Sequence, residues 1–453
     1  VLDQSNPIHY GLIIAESVGA AKFNITQHVM GFNVNLRSDR SVTESSKTII
    51  HADDLSISRS GGLYLHIPYC ETKCGYCDFY SIPAADQDTG SVVDAMVSEL
   101  VTRTGAVTTP IETVFLGGGT PTLLPIDQLR KLLFAVRDAV SNFAIGEFTV
   151  EANPATIDDA KAALLAECGV TRVSLGAQSF HPAELAFLER LHIPADIAPA
   201  IAAIRRAGII DFNLDLIFGI GGQTLASWRE SIDCALELAP PHIACYGLTY
   251  EPGTRLTGQL NLGQITPCDE DLEADMYLAA IDQLAAAGFE HYEISNFARS
   301  GHACRHNLIY WNNGPYIGVG PSAAGYIDGR RYRNIPNAQR YAELIRAGKL
   351  PEIDTEVIDG ESLAIETLMM QLRQIRGIDL AEFADRTGVD LAARASDTLC
   401  RLVPGGLIEL TDRRLRLTRN GLLVANAIIA ELAAALTSDR GGTSLPVVKV
   451  TGG

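Results

Sequence analysis

The sequence predicts an α/β fold: a run of β–α repeats that builds a parallel sheet, followed by a smaller helical, winged-helix-like domain. Three observations predict it. Short apolar runs alternate with amphipathic stretches from Leu63 to about residue 290. Glycines and polar residues of unusual type collect at the ends of those runs. From residue 361 the pattern changes to helices around a short ribbon, LIELTDRRLRLT.

The apolar runs are LYLHI, TVFLGGG, FTVEANP, RVSLGAQ, FNLDLIFGI and IACYGLTY. Amphipathic stretches follow them at 92–104, 126–140, 157–168, 182–190 with 196–207, 225–238 and 270–287. These six repeats imply parallel strands, because each parallel crossover needs a helix to return the chain. Six units are too few for a complete eight-fold barrel, so a partial barrel and an open doubly wound sheet both fit. In either case ligands meet the C-terminal ends of the strands. The expected divisions are a poorly ordered extension over 1–60, the repeat core over 61–295, and an irregular connecting region over 296–360. The winged-helix-like domain over 361–435 and a disordered tail over 436–453 complete them. The first segment is polar and lacks sustained patterning. An upstream translation start would look the same.

Composition narrows the functions. The 453 residues are 47% hydrophobic and 20% charged, as in ordinary globular proteins, and allow more than one domain. A net charge of −18 repels phosphate backbones and anionic lipid headgroups, and no run of Lys and Arg forms a basic patch. Nucleic acid is therefore not an expected partner, and the winged-helix-like part also lacks clustered basic residues. No stretch is long and apolar enough to cross a bilayer. The short apolar patch GLIIAESVGAAK contains a Glu and lacks a basic leader, so it makes a poor signal peptide and the cytoplasm is expected. Nine cysteines, six of them scattered singly, do not read as a secreted disulfide framework.

The other three cysteines stand together in HIPYCETKCGYCDFY, as Cys70, Cys74 and Cys77, just after the first apolar run. Thiolates are soft ligands that favour zinc, copper(I) or iron–sulfur clusters. Structural zinc wants four protein ligands, usually from two paired knuckles, and no second C-x2-C is present. A 4Fe–4S cluster held by three cysteines leaves one iron open to a further ligand. The alternatives are zinc completed by a distant residue such as His66, or three unrelated buried cysteines. Gly117, Gly118 and Gly119 close the second run ahead of Thr120, and glycines let backbone amides approach a ligand closely. Glu151, Gln178 and Asp215 lie at or near other strand ends, and Arg190 lies just beyond one. Helix caps and surface ion pairs would also account for these four.

The spacing of the cysteines, Tyr76 before the third of them, and the strand pattern resemble the radical S-adenosylmethionine superfamily. The resemblance implies a partial (β/α)6 TIM-like barrel in which the three cysteines bind the cluster. S-adenosylmethionine then chelates the open iron and yields a 5′-deoxyadenosyl radical on one-electron cleavage. It further assigns cofactor contacts to Tyr64, Tyr76, Gly118, Gly119, Thr120, Glu151, Gln178, Arg190 and Asp215. Over residues 62–435 the motifs HIPYCETKCGYCDF, FLGGGTPTLL, VEANP, VSLGAQSF and NLDLIFGI are similar to the oxygen-independent coproporphyrinogen oxidase-like family. The decarboxylating branch carries a fourth cysteine two places after the third, where this chain has Phe79. The motif HNxxYW, here His306, Asn307, Tyr310 and Trp311, matches the haem chaperone branch.

That branch implies haem and haem-acceptor proteins as partners, with His306 as the candidate iron ligand and His302 or Cys304 as alternatives. Without the resemblance, a His among aromatics is more often a satisfied core residue. The second reading is a radical oxidase that decarboxylates coproporphyrinogen III, and the third is a radical enzyme on another substrate. Radical chemistry would imply a small electron donor such as flavodoxin or ferredoxin. A homodimer is left open, and nothing in the sequence shows that radical chemistry has been lost.

Overall fold

The computed structural model describes residues 60–437. The expected disorder over 1–60 and 436–453 falls almost wholly outside the described residues, although Leu436 and Thr437 end a helix.

Six strands form the centre: β1 (Gly61–Ile67), β2 (Ile111–Gly118), β3 (Glu147–Ala152), β4 (Arg172–Gln178), β5 (Asp211–Phe218) and β6 (His242–Gly247). Each pairs in parallel with the next in chain order. The winding never reverses, which makes the sheet a partial barrel and removes the doubly wound alternative. The sheet continues past both ends. The hairpin β7 (Glu290–Glu293) and β8 (Asn296–Ala298) attaches antiparallel to β6. On the other side β9 (Tyr316–Val319) pairs parallel with β1. Beyond it, β10 (Ala324–Ile327), β11 (Arg330–Asn334) and β12 (Glu352–Val357) pair antiparallel, giving 12 strands in one sheet. Residues 296–360 therefore do not merely connect two domains. They supply strands to both edges, and the expected division near 295 falls inside the β7–β8 hairpin. These strands of three to six residues carry no amphipathic repeat, so their pattern was too short to read.

Helices α1 (Thr89–Ala106), α2 (Ile126–Ala139), α3 (Asp159–Glu167), α4 (Pro182–Phe187), α5 (Ile197–Arg206) and α6 (Leu225–Glu237) return the chain between strands. Their starts are chemical: the side chains of Asp88, Asp158 and Thr224 accept hydrogen bonds from the amides of Ser91, Lys161 and Ser227. α2 buries Leu129, Leu132, Leu133 and Val136, the i, i+3, i+4, i+7 stripe of a helix lying on a sheet. Each such side chain contributes about 1.5–3 kcal/mol. α7 (Arg255–Asn261) and α8 (Glu270–Ala286) follow β6.

Helix α9 (Arg305–Trp311) carries the HNxxYW motif and packs against β1 and β2 near their starts. Gly62 makes this possible, since a Cβ there would stand 2.7 Å from the His306 ring. Glu147, the first residue of β3, accepts hydrogen bonds from the amides of Arg305 (2.8 Å) and His306 (3.0 Å). The helix thus plugs the N-terminal end of the barrel.

After α10 (Ala338–Arg346) come α11 (Gly360–Gln371), α12 (Leu380–Thr387), further short helices, a three-stranded antiparallel sheet and the final helix Ala425–Thr437. This part has its own core, including Leu368, Phe383, Leu415 and Ile429. It holds the end of α9: Arg386 donates to the carbonyls of Asn312 (2.6 Å) and Asn313, and Gln374 donates to that of Trp311 (3.2 Å).

Candidate functional site

A strand's side chains alternate between its two faces. In β2 to β6 one face is apolar and meets the helices. The other carries Phe115 and Gly117, then Thr149 and Glu151, then Arg172, Ser174, Gly176 and Gln178, then Asn213 and Asp215, then His242 and Tyr246. A cavity of about 200 Å³ runs along this inner face, from the three cysteines at the C-terminal end to His306, Asn307 and Tyr310 at the plug.

Cys70, Cys74 and Cys77 all line the cavity at this C-terminal end. The Thr120 hydroxyl faces the Cys70 sulfur at 3.8 Å, and an Arg190 N–H faces that of Cys74 at 3.6 Å. Burial, followed by the neighbouring cysteines, pushes the Cys77 thiol up to about 12. Burial and Cys74 act the same way on Cys70. Three soft donors that repel one another as thiolates suit a cationic iron–sulfur centre. His66 does not complete a zinc site, because its ring nitrogens meet the Tyr64 hydroxyl (2.9 Å) and the Tyr80 carbonyl (2.8 Å).

Tyr76, Gly118, Gly119, Thr120, Glu151, Gln178, Arg190 and Asp215 all line the cavity; Tyr64 does not and packs beside Phe115 and Ala323. Three details differ from expectation. First, the glycine loop does not present free amides. Gly118 donates to Glu151 (3.0 Å), Gly119 to the Ile67 carbonyl and Thr120 to the Tyr69 carbonyl, both at 2.7 Å. The glycines are required by packing: a Cβ on Gly119 would stand 2.5 Å from the Tyr69 carbonyl. Gly119→Ala is expected to cost about 1–3 kcal/mol, read as a lowered denaturation midpoint. Second, Arg190 forms none of the surface ion pairs that would also account for it, and it lines the cavity. It turns inward, donates to the Gly176 carbonyl at 3.0 Å, and keeps a buried Nε with no partner. Third, Asp215 lies mid-strand on the barrel wall. Burial lifts its carboxyl to about 6, against hydrogen bonds from Asn213 (2.7 Å) and Ser174 (3.1 Å). Gln178 holds a left-handed backbone (φ 64°), the strain of a non-glycine residue where β4 bulges at the mouth.

His306 lies at the opposite end, 1% exposed. Its Nδ1 meets the Thr113 hydroxyl at 2.7 Å and its Nε2 the Tyr310 hydroxyl at 3.0 Å, with the ring stacked on Phe115 at 5.2 Å. Burial lowers its pKa to about 3. In this arrangement it is a satisfied core histidine. Of the two alternatives, Cys304 is buried against Glu147 and His302 lies against Asp211 outside the cavity.

Sequence reasoning missed Thr149, Arg172, Ser174, Asn213, His242 and Tyr246. A signal existed: polar residues at every second place in runs otherwise apolar. Once helices cover the outside of a parallel sheet, those side chains point inward. Arg172 is the extreme case, 2% exposed and paired with Asp211 at 2.9 Å.

The chain is similar to known proteins. Residues 64–235 match the radical SAM superfamily model and residues 358–424 the HemN C-terminal domain model. The heme chaperone HemW of Bacillus subtilis is 35% identical over 367 residues, 81% of this chain and 97% of that protein. HemW of Mycobacterium tuberculosis is 37% identical over 376 residues, 82% of this chain and 94% of its own length. The solved structure of the radical SAM enzyme coproporphyrinogen III oxidase (HemN) from Escherichia coli superposes with a TM-score of 0.72. It covers 84% of this chain and 90% of its own at 20% identity, which is likeness of fold. Together with the barrel, the cysteine triplet and the plug helix, these matches make the chain a member of the HemW heme chaperone family within the radical SAM superfamily.

Proposed function

We propose that the protein is a haem chaperone that binds haem, a 4Fe–4S cluster and S-adenosylmethionine, and passes haem to acceptor proteins. The carrying observation is the relatedness to haem chaperones along nearly their whole length. Phe79 supports it: it lines the cavity where the decarboxylating branch would carry a fourth cysteine. The likeness to the E. coli oxidase carries only the fold, so the decarboxylase reading is not favoured.

Cys70, Cys74 and Cys77 would hold the cluster. Its chemistry, when bound, is one-electron transfer beside the cofactor. Arg190, cationic and with an unpartnered Nε, suits the carboxylate of S-adenosylmethionine. Asp215 keeps lone pairs for ribose hydroxyls or an ammonium group. Arg190→Ala is expected to weaken cofactor binding by roughly 10- to 100-fold, the worth of one charge-assisted hydrogen bond. Titration calorimetry on cluster-loaded protein checks this; unchanged affinity would remove Arg190 from the site.

For haem iron the donor on offer is the Nε2 of His306. Its present partner is the neutral hydroxyl of Tyr310 on the same helix, while the bond from the other nitrogen to Thr113 of β2 ends when α9 withdraws. Access to it requires α9 to withdraw from the barrel end. The His306→Ala variant is expected to bind haem more weakly and with an altered visible spectrum. An unchanged spectrum and affinity would refute the assignment.

None of the described helices is long and apolar enough to cross a membrane. We place the protein in the cytoplasm. A small electron donor such as flavodoxin or ferredoxin belongs to it where the cofactor is cleaved, and a homodimer is the simplest assembly.

A further inference from the structure

The polar groups behind Asp215 form a chain with one consistent direction. Both amide hydrogens of Asn213 are committed, to Ser174 Oγ at 2.8 Å and to Asp215 at 2.7 Å. Ser174 Oγ, having accepted from Asn213, donates to the second oxygen of Asp215 at 3.1 Å. The Asn213 carbonyl must therefore accept, and its partner is Nδ1 of His242 at 2.7 Å. That fixes the proton of a neutral His242 on Nδ1. Its Nε2 then accepts from the Tyr292 hydroxyl at 2.9 Å, whose oxygen takes the amide of Cys304 at 3.3 Å. Cys304 immediately precedes α9. Burial, with Arg172 and His302 nearby, keeps His242 neutral.

We infer that His242 and Tyr292 are positioning residues that, through Asn213, hold the Asp215 carboxylate ready for the cofactor. The inference rests on the proposed S-adenosylmethionine site. If Tyr292 no longer donates, the His242 ring is anchored only through Asn213 and is free to swing its Nδ1–H away. Asn213 then loses the donor that holds its carbonyl in place, and its amide can turn to present an oxygen where Asp215 needs a donor. The carboxylate loses one of its two hydrogen bonds, and a lost hydrogen bond to the charged form raises a carboxyl pKa. The other groups facing Asp215 are Arg172 from β4, Arg190 from the segment after α4, Tyr246 from β6 and Tyr76 from the cysteine loop, with Cys245 behind it on the outer face of β6. None of them is removed by changing Tyr292.

The test is the affinity of cluster-loaded protein for S-adenosylmethionine between pH 5 and 8.5, for wild type, Tyr292→Phe, Asn213→Leu and Asp215→Asn. Wild-type binding should weaken as pH falls through about 6, where burial sets the Asp215 carboxyl. In Tyr292→Phe and Asn213→Leu that limb is expected to move upward by about one pH unit, a roughly 5-fold loss at pH 6. At the alkaline end their affinity should rejoin wild type. A wild-type limb in Tyr292→Phe alongside a displaced one in Asn213→Leu overturns the inference and leaves the cofactor site standing. A uniform loss at every pH in Tyr292→Phe also overturns it, because that is what general loosening would give. Unchanged binding by Asp215→Asn overturns the contact on which the inference rests, and the inference with it.

Discussion

Cys74→Ala is expected to abolish the 4Fe–4S cluster. Iron and sulfide content after anaerobic reconstitution should fall to background, and the brown absorbance should be lost. Three cysteines are the minimum that leaves one iron open, and the segment offers no replacement. Phe79 is a carbon side chain, and both His66 nitrogens are engaged. The Cys70 and Cys77 pair left behind is a two-ligand site. The fold should survive, because Cys74 is only partly buried and contributes little to the main core. An unchanged thermal midpoint with no iron would separate loss of the site from loss of the protein. Full retention of a 4Fe–4S signal would mean that the cluster is held elsewhere.

Arg172→Leu is expected to destabilise the protein by about 3–5 kcal/mol, the usual cost of removing one partner from a buried ionic cluster. Arg172 is buried among Glu147, Asp211, Cys304 and Tyr292; burial opposes its charge, but these neighbours hold it protonated. Its removal leaves Glu147 buried without the cation, and Glu147 is also the anchor for the start of α9. The damage should therefore reach the plug. Chemical denaturation would measure the loss, and faster proteolysis near residue 304 would report an opened barrel end. A change below about 0.5 kcal/mol, the usual range for surface positions, would show that the buried pair is not holding that end together.

Much of the barrel was legible because its causes are local. Apolar runs followed by capped amphipathic helices can only return as parallel strands, and the cysteine spacing is short enough to survive without tertiary context. Other parts depend on contacts distant in sequence. Nothing in the text at 316–334 says that it will extend the sheet from β1. That edge is fixed by Glu99 of α1, which accepts from the Gly320 amide (2.9 Å) and Asn334 (2.8 Å). The role of His306 depends on Thr113, 193 residues away. The glycines at 117–119 were visible, but their packing role was not, because the backbone against Gly119, at Ile67 and Tyr69, belongs to another strand end. Arg190 and Asp215 stood out by their place near strand ends and took their role from family likeness, while Asn213 and His242 stood in plain alternation and needed only the knowledge that helices cover the outer face.

The most direct test of the central claim is anaerobic reconstitution of the cluster, followed by parallel assays on one preparation. One assay follows haem binding and transfer to an acceptor apoprotein, and the other follows decarboxylation of coproporphyrinogen III with S-adenosylmethionine and a reductant. A haem chaperone with Phe79 behind its third cysteine should bind and release haem while leaving coproporphyrinogen unchanged. Robust decarboxylation, with no transferable haem, would contradict it.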